Sequence, residues 1–145
     1  MINYVTSGSL TRLPVSWASR TEAADGRTSP EELMAAAHAS CFAMAFSGGL
    51  TRNGTPPTSL TVGATVTFDK VEAGWKVVSS ALTVRGNVPG LDAATFAQLA
   101  EAAKDGCPIS GALKGNVELS VEATLEAENM WVEHVNEVGH MTLYP

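Results

Sequence analysis

Ser29-Pro30-Glu31-Glu32-Leu33-Met34-Ala35-Ala36-Ala37-His38-Ala39-Ser40-Cys41-Phe42-Ala43-Met44-Ala45-Phe46 is the stretch on which the reading of this chain turns. Ser29 suits a helix N-cap, Pro30 suits the first helical position, and Glu32 stands where a capping-box carboxylate reaches back. Leu33, Ala36, Ala37, Ser40, Cys41, Met44 and Ala45 then recur at three- and four-residue intervals. Phe42 and Phe46 widen the apolar arc beyond one stripe, so a helix buried on most sides is predicted. Gly48 and Gly49 mark its stop or loosening, and Asn53-Gly54-Thr55-Pro56-Pro57 reads as a connector.

On the far side of that connector, Leu60, Val62, Ala64, Val66 and Phe68 alternate with Thr and Gly, which is the period of a strand. Asp69 to Gly74 turns the chain into a second strand, Trp75 to Arg85, so a hairpin is expected. Asp92 caps a second helix carrying Ala93, Phe96, Ala97, Leu99, Ala100 and Ala103, which ends near Gly106. Cys107-Pro108 follows at once, in a place where a side chain is often accessible, and Pro108 can open a further helical turn. Val117, Leu119, Val121, Ala123 and Leu125 alternate with polar residues as a strand with one wet face. On the N-terminal side, Arg20 to Ser29 reads as a polar loop and Asn3 to Ala18 as short strands and turns.

The 145 residues suit one domain with its own core. A net charge of −6 and a pI near 4.9 disfavour nucleic acid and anionic membrane surfaces as partners. The sequence shows no apolar run of the roughly 20 residues a membrane helix needs and no signal-peptide layout, so a cytoplasmic location is expected. Neither a nucleophile elbow nor a phosphate loop is present.

Two cysteines cannot build the disulfide framework of a small secreted domain. Cys41 and Cys107 are also too far apart for a CxxC redox pair or a zinc knuckle. His38, three positions before Cys41, adds no specific metal pattern, and neither metal nor cofactor is expected. Taken singly, Cys41 reads as a small buried hydrophobe. A reactive thiol needs a neighbouring cation, for which Arg20 and Arg27 are candidates, with Glu31 able to fix a guanidinium.

Ser29-Pro30-Glu31-Glu32-Leu33, Ala36-Ala37-His38-Ala39-Ser40-Cys41-Phe42 and Gly106-Cys107-Pro108-Ile109-Ser110 together resemble the OsmC/Ohr group of thiol peroxidases, the OsmC branch most closely. Thr67 to Gly74 and Val88 to Asp92 extend the resemblance, which runs from about Leu13 to about Glu126. It implies an α+β, OsmC-like fold, two main helices packed on antiparallel β-sheet, forming an intertwined homodimer with sites at the subunit interface. It also implies reduction of organic hydroperoxides, with Cys41 peroxidatic, Cys107 resolving by an internal disulfide, Arg20 activating and Glu31 holding the arginine. Arg27 is the less favoured arginine. An external dithiol reductant, of lipoyl type in relatives, would close the cycle.

On one straight helix, Glu31 and Cys41 lie about 15 Å apart along the axis and cannot meet directly. Either the segment bearing Arg20 folds back to bridge them or a second subunit brings its own Arg20 or Glu31. Residues 1–126 are read as the peroxidase domain and residues 127–145 as an atypical C-terminal extension. Relatives normally carry a further N-terminal β segment, so Trp131 to Tyr144 is expected either to fill that sheet edge or to be a disordered tail. The alternative function is a non-catalytic dimer of the same fold that binds small apolar molecules or senses oxidants. Peroxide consumption that vanishes in Cys41→Ser separates the two.

Overall fold

The computed structural model describes residues 12–126 and the backbone of residues 140–143. The expected strands and turns within Asn3 to Thr11, and residues 131–139 and Tyr144 of the C-terminal segment read as a possible sheet edge, lie outside the described residues.

A short helix, α1 (Trp17–Thr21), precedes the long α2 (Pro30–Arg52). A hairpin of β1 (Ser59–Val71) and β2 (Gly74–Asn87) follows, then α3 (Ala93–Gly106), α4 (Pro108–Leu113), β3 (Glu118–Leu125) and β4 (His140–Leu143). The sheet order is β3-β2-β1-β4. β1 pairs antiparallel with β2 and with β4, whereas β3 runs parallel to β2. The sheet is therefore mixed. A parallel neighbour requires a crossover, and α3 with α4 supplies it.

α2 begins as its sequence dictates, with Ser29 Oγ accepting from the Glu32 N–H at 3.1 Å and Pro30 at the first position. It runs through Gly48 and Gly49, past the expected stop, to Arg52, with Asn53 as its C-cap. By length and apolar composition alone its 23 residues could cross a bilayer, contrary to the expectation that no such segment exists. The helix is instead a core element: Phe42, Phe46 and Leu50 are fully buried against Leu60, Val62, Leu82, Val84 and Phe96. Phe46 joins the two main helices, with its ring 5.5 Å from that of Phe42 and 5.0 Å from that of Phe96.

Gly86 of β2 is where α3 meets the sheet. A Cβ there would stand 2.7 Å from the Phe96 ring and 2.9 Å from Leu60. Gly86→Ala is thus expected to destabilise the fold by about 1–3 kcal/mol through overpacking, read as a lowered urea midpoint. At the other end of the hairpin, Thr67 pairs with Ser79 but Phe68 with Val77, leaving Val78 as an extra residue in a bulge. A bulge bends and twists its strand, and this one lies opposite the step from Thr67 to Phe68.

Candidate functional site

Arg20 does not lie in a loop as expected; it closes α1. Ser16 caps that helix reciprocally with Ser19: the Ser19 N–H donates to Ser16 Oγ at 3.1 Å and the Ser16 N–H to Ser19 Oγ at 3.0 Å. Ser19 Oγ also donates to the Thr28 carbonyl at 2.9 Å, tying α1 to the segment that enters α2. This anchoring delivers Arg20 to Glu31. Arg20 Nε donates to both carboxylate oxygens, at 3.0 and 3.1 Å, and Nη2 to Oε1 at 2.6 Å. Glu31 is buried, and a fork-shaped guanidinium is the cation whose geometry matches a carboxylate held there.

The flat face of the guanidinium rests on aromatic carbon. Arg20 Cζ sits 4.1 Å from the Phe68 ring centroid and 5.7 Å from that of Trp17. Phe68 stacks on Trp75 at 4.9 Å, and Trp75 meets Trp17 edge to face at 6.1 Å. A cavity of about 440 Å³ opens here, lined by Arg20, Glu31, Glu32, Ala35, Val66 and Phe68 among others. Its lining is mixed, with the Arg20–Glu31 pair and Glu32 from the helices and both apolar side chains and the hydroxyls of Thr65 and Thr67 from β1. The aromatic support for Arg20 was not foreseen, because Trp17, Phe68 and Trp75 come from three separate segments.

The two thiols form a second centre. Cys41 and Cys107 are both unlinked. Cys41 is half-buried on α2. Cys107, expected to be accessible, is buried with 1% of its surface exposed, because the junction between α3 and α4 folds beneath α2. The two thiols are close enough for one to influence the other's protonation. Burial pushes the Cys41 thiol above its ordinary range, the Cys107 thiol adds to that shift, and the Ile109 backbone N–H partly offsets it. No guanidinium contributes. Glu31, with Arg20 bound to it, stands in the first turn of α2 and Cys41 in its middle, so within one chain the ion pair and the thiols are separate clusters.

His38 proved to be a structural hub. It is fully buried, with Nδ1 2.7 Å from Ser80 Oγ and Nε2 2.8 Å from Ser110 Oγ. A hydroxyl can donate or accept, so a neutral ring is satisfied in either tautomer, and burial lowers the histidine pKa toward that form. With both nitrogens engaged, His38 is not placed to ligate a metal, and no group of three or more metal-ligating side chains occurs among the described residues. Arg27, the alternative arginine, is exposed and has no ion pair among the described residues.

Comparison with known proteins places these features in context. Residues 23–122 match a family described as OsmC-like protein. Over 116 residues the chain is 44% identical to "Peroxiredoxin OsmC" of Escherichia coli, covering 80% of each sequence. Among solved structures it is similar to an organic hydroperoxide resistance protein OsmC from Legionella pneumophila, with a TM-score of 0.66, 25% identity, and coverage of 82% of this chain and 85% of that one. It is likewise similar to the organic hydroperoxide resistance protein OhrB of Bacillus subtilis, with a TM-score of 0.61, 31% identity, and coverage of 70% and 74%.

Proposed function

The chain belongs to the OsmC-like protein family, and on that basis we propose that it is a thiol-dependent peroxidase reducing organic hydroperoxides to alcohols through Cys41 and Cys107. The observation that carries this reading is the meeting of two free sulfurs from distant parts of the chain, one half-exposed and one sealed behind it. The Cys41 thiolate attacks the terminal peroxide oxygen, the O–O bond breaks, and the alkoxide leaves and takes up a proton as the alcohol. Cys41 retains the hydroxyl as a sulfenic acid. The Cys107 sulfur then displaces that hydroxyl, forming the disulfide and water. An external dithiol, of lipoyl type by family analogy, returns both thiols.

Cys41 by itself is poorly primed, since burial favours the neutral thiol. A homodimer supplies what is lacking. Along α2, Ala36, Ala37 and Met44 are exposed, and Leu33, Ser40 and Cys41 are only partly covered, so an apolar stripe with small residues runs beside the sulfur. If two copies of α2 cross antiparallel about a two-fold axis near Ala36, the Glu31 turn of each lies level with Cys41 of the other. Arg20, pinned to Glu31, would then face the partner's Cys41. The guanidinium would favour the thiolate and stabilise charge on the peroxide oxygens, and Val66 and Phe68 in the cavity lining would receive the organic group. Location in the cytoplasm, where thiols stay reduced, fits this cycle.

Mass spectrometry after one equivalent of cumene hydroperoxide tests the thiol scheme. Peptide mapping is expected to recover Cys41 linked to Cys107 within one chain. Recovery of both as free thiols, with the peroxide intact, would refute it.

A further inference from the structure

The reaction scheme leaves His38, Ser80 and Ser110 without a task, although all three are buried and joined in a chain of hydrogen bonds. Three buried polar side chains are a costly way to fill space that apolar residues could occupy. What they supply is a connection of fixed length between three elements. Ser80 belongs to β2, His38 to α2 and Ser110 to α4. His38 stands one turn before Cys41, and Ser110 one turn after Cys107. α4 has only six residues and begins directly after Cys107, so holding Ser110 fixes the rotation of the whole helix.

We propose that His38 is a positioning residue for the resolving step: through Ser110 it holds α4 so that the Cys107 thiol stays within bonding reach of Cys41. The inference rests on the roles proposed above for the two cysteines. In that step the Cys107 sulfur attacks the Cys41 sulfur, the S–O bond breaks as the S–S bond forms, and the departing hydroxide leaves as water with the Cys107 proton. If α4 drifts, the sulfenic acid persists, and a second hydroperoxide oxidises it to the sulfinic acid while being reduced to its own alcohol. His38 thus governs whether Cys41 is protected or lost.

A single turnover of the full-length, fully reduced protein with cumene hydroperoxide and dimedone separates the two fates, because dimedone traps the sulfenic acid and mass spectrometry counts the adduct against the disulfide. His38→Ala and Ser110→Ala are expected to raise the adduct-to-disulfide ratio at least about tenfold, as small misplacements of reacting groups do. Ser80→Ala, which cuts only the sheet tether, is expected to shift the ratio far less. His38→Gln, whose amide can reach toward the Nε2 position, should restore it towards wild type. A merely structural role lowers thermal stability without moving the ratio. That pattern, or a Ser80→Ala shift as large as that of Ser110→Ala, overturns the proposal. Absence of any disulfide in the wild-type protein would instead overturn the cysteine roles themselves, so the two failures are distinguishable.

Discussion

Replacing Cys41 by serine is expected to reduce hydroperoxide consumption to the uncatalysed background, a fall in kcat/KM of about 10⁴-fold or more. The substitution changes one atom on a half-buried helical position, so the fold has little reason to respond. Its chemistry responds completely. A serine hydroxyl is not ionised at neutral pH, and its oxygen cannot hold the transferred hydroxyl as sulfur does in a sulfenic acid. An unchanged thermal midpoint alongside lost turnover identifies a chemical role. Cys107→Ser provides the contrast, since the first reduction of peroxide needs only Cys41. It should consume about one equivalent and then stall as sulfenic acid. Cys41→Ser retaining activity within tenfold of wild type would remove this sulfur from the mechanism.

The second large effect concerns whether Arg20 acts on the thiol of its own chain or on that of a partner. Arg20→Ala is expected to lower kcat/KM by about 10²- to 10³-fold, the usual cost of deleting a preorganised charge donor. Mixing it with Cys41→Ser under conditions that exchange subunits should recover activity. A mixed dimer holds one site with both an intact Cys41 and the partner's Arg20, and random pairing gives about a quarter of all sites that composition. If Arg20 acted on the thiol of its own chain, no combination would regain an intact site, and no recovery would be seen. The pH profile offers a separate reading. Burial and the Cys107 thiol raise the Cys41 pKa, so without the guanidinium the thiolate fraction at neutral pH is small and grows with pH. The Arg20→Ala rate should therefore keep rising into the alkaline range after wild type has reached its plateau.

Much of this architecture was legible because its signals are local. Ser29-Pro30 and Asp92 marked both main helices, period-two alternation marked β1 and β3, and the turn at Asp69 to Gly74 marked β2 as the partner of β1. The parallel pairing of β3 was not legible, since the pattern of one wet and one dry face is the same for either strand direction. Arg20 was misplaced because α1 is five residues long and has no apolar periodicity. Its reciprocal Ser16–Ser19 cap was in the sequence, but no amphipathic run followed it. The burial of Cys107 was misjudged for a related reason: a position after a helix terminator looks open until the next helix folds under its neighbour. His38 gave no sign of its role. Its two serines lie 42 and 72 residues away, so only the tertiary fold discloses them. The family resemblance carried the cysteine, arginine and glutamate assignments, which spacing alone did not supply.

The parallel run of β3 beside β2 also sets a schedule for the newly made chain. Helix α2 and the hairpin emerge from the ribosome well before residue 107, whereas the α3–α4 excursion is locked in place only once β3 has docked alongside β2. The ladder that closes this crossover therefore pairs residues from about position 79 with residues from about position 118, a non-local contact that can form only after the whole excursion has been made.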